Sequence, residues 1–83
     1  MKQVITKQEV DWATEYGVYA INRDTRLVEN TSGVTGITVE IFYGLDENEV
    51  SDRLAERLRN GLDYEYALYD GSLHLVGFAY FSE

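Results

Sequence analysis

Tyr64-Glu65-Tyr66-Ala67-Leu68-Tyr69-Asp70-Gly71-Ser72-Leu73-His74-Leu75-Val76-Gly77-Phe78-Ala79-Tyr80-Phe81 decides the fold. Two runs rich in aromatic and branched side chains flank Asp70-Gly71, a pair that supplies the positive φ angles of a tight type I′ turn. The stretch reads as an antiparallel hairpin, Tyr64 to Tyr69 and Ser72 to Phe81. A two-residue turn pairs Tyr69 with Ser72, Leu68 with Leu73 and Tyr66 with Leu75. One face then carries Tyr64, Tyr66, Leu68, Leu73 and Leu75. The other carries Glu65, Ala67, Tyr69, His74, Val76, Phe78 and Tyr80. Both faces are rich in large side chains, so the second is either covered by the first helix or left over for a partner. A one-residue slip would exchange the two faces.

Upstream of the hairpin, Asp46-Glu47-Asn48-Glu49 opens a helix with Asp46 as cap, acids in the first turn, and Leu45 and Val50 as a hydrophobic staple. Val50, Leu54, Ala55 and Leu58 give one apolar stripe, and Asn60-Gly61 ends the helix. Thr6-Lys7-Gln8-Glu9 carries the same capping signal, stapled by Ile5 and Val10, for a first helix from Lys7 to about Tyr16 that stops at Gly17. Val18 to Ile21 suits a strand better than a continued helix, because Gly17 interrupts. Arg26 to Glu29 reads as its hairpin partner across Asn22-Arg23-Asp24-Thr25. Ile37 to Tyr43 alternates, with Ile37, Val39, Ile41 and Tyr43 on one face. The expectation is a single α+β domain over residues 1–83: an antiparallel sheet of four to five strands with two helices.

Eighty-three residues hold fifteen acids, seven bases and one histidine, for a formal charge of −8, with neither cysteine nor proline. At 45% apolar and 27% charged the chain has ordinary globular usage, so the acid excess is no sign of disorder. Without cysteine there is no disulfide framework, thiolate chemistry or cysteine-ligated zinc. Met1 to Thr6 lacks the apolar region of a signal peptide, and no run is long enough to span a membrane. A cytoplasmic location is expected, which leaves the Asn30-Thr31-Ser32 glycosylation pattern idle.

Little in the chain points to catalysis. His74 has neither a second histidine nor a cysteine with which to share a metal or nucleophile. The acids near Asp46 fail the calcium-loop pattern, since Val50 stands where an oxygen ligand belongs. There is no phosphate loop and no dinucleotide fingerprint. An 83-residue chain has little room for the cleft of a glycosidase. The negative charge disfavours direct nucleic-acid binding, and Arg53, Arg57 and Arg59 read as the solvated face of a helix. The chain is expected not to be an enzyme and to use no cofactor and no metal.

Acids interleave with tyrosines instead. From Glu40 to Asp52 there are five acids and no base, and from Asp63 onward four acids and no base. Carboxylates arrayed on a rigid sheet can pair with Arg and Lys in a nucleic-acid-binding groove and so imitate phosphates. Tyrosine supplies contact area at low entropic cost. The candidate partner-binding residues are the acids expected on edges and loops, Glu40, Asp46, Glu47, Glu49, Asp63, Glu65 and Asp70, with Tyr64, Tyr66 and Tyr69.

In length, charge, lack of cysteine and proline, and two-helix antiparallel pattern, the chain resembles the small acidic inhibitors encoded by phages and mobile elements. These include anti-CRISPR proteins, anti-restriction proteins and uracil-DNA glycosylase inhibitors. The resemblance implies stoichiometric inhibition of a host defence or repair nuclease complex, without catalysis; with the acid–tyrosine pattern the expectation is a DNA mimic that binds a basic groove of a nucleic-acid-handling complex and blocks nucleic-acid access. The other reading is a self-associating structural or adaptor domain, with Val76, Phe78 and Tyr80 of the hairpin as a homodimer interface.

Overall fold

The structure is a computed structural model that describes residues 2–6 and 10–81. Its elements run β1 (Lys2–Ile5), α1 (Trp12–Glu15), β2 (Tyr19–Asn22), β3 (Ile37–Ile41), α2 (Glu47–Arg59), β4 (Tyr66–Tyr69) and β5 (Leu75–Phe81). The strands form one sheet in the order β1-β3-β5-β4-β2, every neighbouring pair antiparallel. The α+β class is therefore as expected, with five strands and two helices.

α2 forms as its signals predict. The Asp46 carboxylate accepts the Glu49 N–H at 2.9 Å, Leu45 is half-buried and Val50 is buried. At the other end Gly61 takes a φ of 88°, which lets Gly61 N–H bond to the Leu58 carbonyl and Leu62 N–H to that of Arg57. That pair of bonds satisfies carbonyls the helix end would leave bare. α1 is shorter than expected. Of the Thr6–Glu9 capping box, Lys7 to Glu9 lie outside the described residues, and Trp12–Glu15 is a single turn closed at Gly17.

Two strand expectations change. Lys2–Ile5 is a strand, pairing with β3 from Lys2↔Glu40 to Ile5↔Ile37, and supplies the fifth strand. Arg26 to Glu29 is not one; it makes a lone bridge, Ile21↔Val28. The Asn22 side chain accepts from the N–H groups of Asp24 and Thr25, and Arg26 has a φ of 63°, which breaks extended geometry there.

The hairpin register differs by four residues. Tyr66 pairs with Ala79 and Leu68 with Gly77, and a bulge brings Tyr69 opposite Leu75. Asp70 is the cause. Its backbone N–H bonds to the His74 carbonyl and its carbonyl accepts from Leu73 N–H. Its side chain accepts from the N–H groups of Ser72 and His74. Leu73 completes the loop at a φ of 62°. This is a wider connection with a left-handed last residue in place of a two-residue turn. Because the shift is even, Ala67, Phe78 and Tyr80 keep the common face that alternation assigned them.

The register makes Val39, Ala79 and Tyr66 neighbours on one face, with Ile41, Gly77, Leu68 and Ala20 in the next row. Trp12 packs on this face, its ring edge-on to Tyr66 at 5.9 Å. Asp11 pins α1 to the loop after β2: its carboxylate accepts the Thr31 and Thr14 hydroxyls, each at 2.7 Å. The opposite face presents Glu40, Phe78 and Ala67, then Thr38 and Tyr80, and α2 lies across it. The second hairpin face is thus covered by α2, not by α1. Phe78 and Tyr80, on which the self-association reading relies, are buried there.

Candidate partner-binding surface

The ten candidate residues do not form one surface: two are buried on opposite faces of the sheet, seven lie at the two ends of α2, and Tyr69 stands apart. Glu40 is the first. Alternation along β3 puts it opposite Ile37, Val39 and Ile41, and so points it away from the Trp12 core. That face is not open, because α2 covers it, and the Glu40 side chain is only 5% exposed. Its carboxylate accepts from Arg57 Nη2 and from the Tyr80 hydroxyl, each at 2.8 Å. Glu40 therefore holds helix to sheet and is not a surface carboxylate. Tyr66 is likewise buried, against Trp12, and is not a contact residue on an exposed sheet.

Asp46, Glu47 and Asp70 come together at the N-terminal end of α2. With Leu45, His74 and Leu75 they line a cleft of about 240 Å³, and Glu49 stands exposed on the same helical turn. Two of these carboxylates already have structural work. Asp46 caps the helix and Asp70 holds the hairpin loop. The His74 and Ser72 backbone N–H groups hold the Asp70 carboxyl below its ordinary pKa. His74 is exposed, its Nδ1 3.8 Å from Asp70 Oδ2.

Asp63, Tyr64 and Glu65 lie at the other end of the helix. They line an open groove of about 580 Å³ together with Leu62, Tyr80 and Phe81. Asp63 is 82% exposed and pairs with Arg23, Nη1 to Oδ1 at 3.0 Å. The Arg23 guanidinium also lies over the Tyr64 ring, 5.2 Å from its centroid. Tyr69, half-buried beside exposed Tyr19, lines neither cleft.

Sequence reasoning missed Arg23, Tyr80 and Phe81 as parts of this end. Arg23 is forty residues from Asp63, and no local pattern joins them. Asn60-Gly61 was legible only as a helix stop, although the turn it makes is what delivers Leu62 to Glu65 to the end of β5.

Among the described residues no group of His, Asp or Glu is placed to hold a metal ion, and no helix is long and apolar enough to cross a membrane. The arrangement offers carboxylates and rings for non-covalent contact. Comparison with protein-family models, curated proteins and solved structures finds no match.

Proposed function

We propose that this protein works by binding, as a small acidic inhibitor of the phage or mobile-element type. It occupies a basic groove of a nucleic-acid-handling protein complex and keeps nucleic acid out. One observation carries the reading: the fold draws Arg57 onto buried Glu40 and Arg23 onto Asp63, while among the described residues His74 is the one basic side chain lining the clefts at the two ends of α2. Acids therefore outnumber bases among the described residues that line both clefts, a charge array suited to steering toward a basic partner.

The test is capture from a host lysate with tagged protein at low and high salt, followed by a binding assay on the captured complex. A nucleic-acid-binding complex held at low salt and released at high salt, and losing its nucleic acid as this protein is added, is the expected result. A captured complex that keeps its nucleic acid at saturation would overturn the mimic reading.

A further inference from the structure

The two ends of α2 are not equivalent. At the N-terminal end Asp46 and Asp70 each give one carboxylate oxygen to backbone N–H groups, and among the described residues no Tyr, Phe or Trp lines the cleft. At the C-terminal end Asp63 and Glu65 line the groove with Tyr64, Tyr80 and Phe81, and no base is among the described lining residues. Carboxylates beside aromatic rings suit a guanidinium, which is planar, weakly hydrated, stacks on rings and bonds carboxylates through a fork of N–H groups. An ammonium is more strongly hydrated and lacks the planar fork, and a phosphate would be repelled.

The chain itself supplies the precedent. Arg23 sets its guanidinium over Tyr64 and touches Asp63 through one nitrogen. Its backbone is anchored by a bond from Arg23 N–H to the Glu65 carbonyl at 3.0 Å, so the side chain is delivered to the rim of the groove. The contact is open to water, with the Arg23 side chain 42% exposed, and exposed pairs of this kind contribute little and exchange readily. Arg57 and Arg59 on the last turn of α2 do not line the groove, and Arg57 is committed to Glu40.

We infer that the Asp63–Tyr64 rim is a receptor for an arginine side chain of a basic partner protein, and that Arg23 occupies it in the free protein until the partner's arginine displaces it. The inference rests on the binding reading above and names the contact through which that binding is anchored.

The experiment titrates isotope-labelled protein with an oligoarginine hexapeptide and with oligolysine of equal length, following backbone amide shifts. Saturable shifts at residues 62–65 and 80–81, tighter for arginine than for lysine, are expected. Arg23→Ala should tighten arginine binding about two- to fivefold by removing the competitor, and Asp63→Asn should weaken it by a similar factor. Arg26→Ala and Asp52→Asn make the same changes in net charge away from the rim and should leave affinity unchanged. Equal effects of Arg23→Ala and Arg26→Ala, shifts centred on residues 45–49 and 70–74, or no saturation would each overturn the receptor. If a captured host complex binds Arg23→Ala and Asp63→Asn as it binds the parent protein, the receptor is overturned while the inhibitor reading stands. A saturable arginine site with no captured complex overturns the inhibitor reading alone.

Discussion

Tyr80 on β5 donates its phenolic O–H to Oε2 of Glu40 on β3 at 2.8 Å, a diagonal contact, since the residue directly opposite Tyr80 is Thr38. Glu40 thus receives a helix donor on one oxygen and a strand donor on the other. Tyr80→Phe removes one hydrogen bond to a charged acceptor and should cost about 1.5–3 kcal/mol. Glu40→Ala strands both donors and should cost more, about 2–4 kcal/mol, moderated because Arg57 is 43% exposed and can turn to water. Urea unfolding of the two variants checks the order, and a smaller loss for Glu40→Ala would contradict the arrangement.

Alkali should unfold the protein through two tyrosines. Burial, with help from Glu29, pushes the Tyr66 hydroxyl up to about 12. Burial and the bond to Glu40 push Tyr80 up to about 12 as well. In the unfolded chain both ionise near 10. A group whose pKa is raised on folding contributes stability that is whole below its unfolded value and is lost as pH climbs through the folded one. The contribution of these two hydroxyls should therefore be flat up to about pH 10 and fall between about 10 and 12. Tyrosinate absorbance and circular dichroism, recorded together, should show the last two tyrosines ionising with the loss of structure. Ionisation of all seven in one early step would refute this.

Gly77 permits the close approach of β5 to β3. A Cβ there would overlap the Glu40 carbonyl oxygen and sit 3.0 Å from Ile41 Cα, backbone atoms that cannot swing aside. Gly77→Ala should cost at least about 1–3 kcal/mol through forced displacement of paired strands. A thermal midpoint equal to the parent's would show that the strands sit further apart than described.

Leu73 is the converse case, a residue whose replacement should help. It holds a φ of 62° at the hairpin loop and is 67% exposed, so its side chain loses little packing on removal. Leu73→Gly should stabilise the protein by about 1 kcal/mol, since the left-handed region penalises a Cβ by about 1–2 kcal/mol. Chemical denaturation reads the gain. A loss would mean that the Leu73 side chain stabilises the loop by more than its backbone strain costs.

Elements whose signals are local were legible in the sequence. Asp46 and Gly61 bound α2 because capping needs only neighbouring backbone, and Ile37, Val39 and Ile41 face the Trp12 core because strand alternation needs no partner to be read. What failed depended on distant or competing bonds. Asp70-Gly71 can open either a two-residue turn or the wider loop, and the bonds that the Asp70 side chain accepts from the Ser72 and His74 backbone N–H groups decide between them. β1 was hidden because four residues beside a capping signal carry little pattern of their own. Glu40 looked solvent-facing on alternation alone, which says which side of a strand a residue takes but not whether a helix will cover that side. Of the candidate surface, Asp63, Tyr64 and Glu65 were readable as an acid–tyrosine cluster. Arg23, their partner, was not, because only the fold brings it there.

The strand order carries one more consequence. β5, the last strand along the chain, lies at the centre of the sheet. Without it the other four fall into two detached pairs, β1 with β3 and β2 with β4, and isolated pairs are at best marginal in water. A ribosome releases β1 first, so the nascent protein has nothing to close upon until residues 75–81 have left the exit tunnel. Closure of the sheet therefore waits on β5, which joins two pairs that do not touch each other.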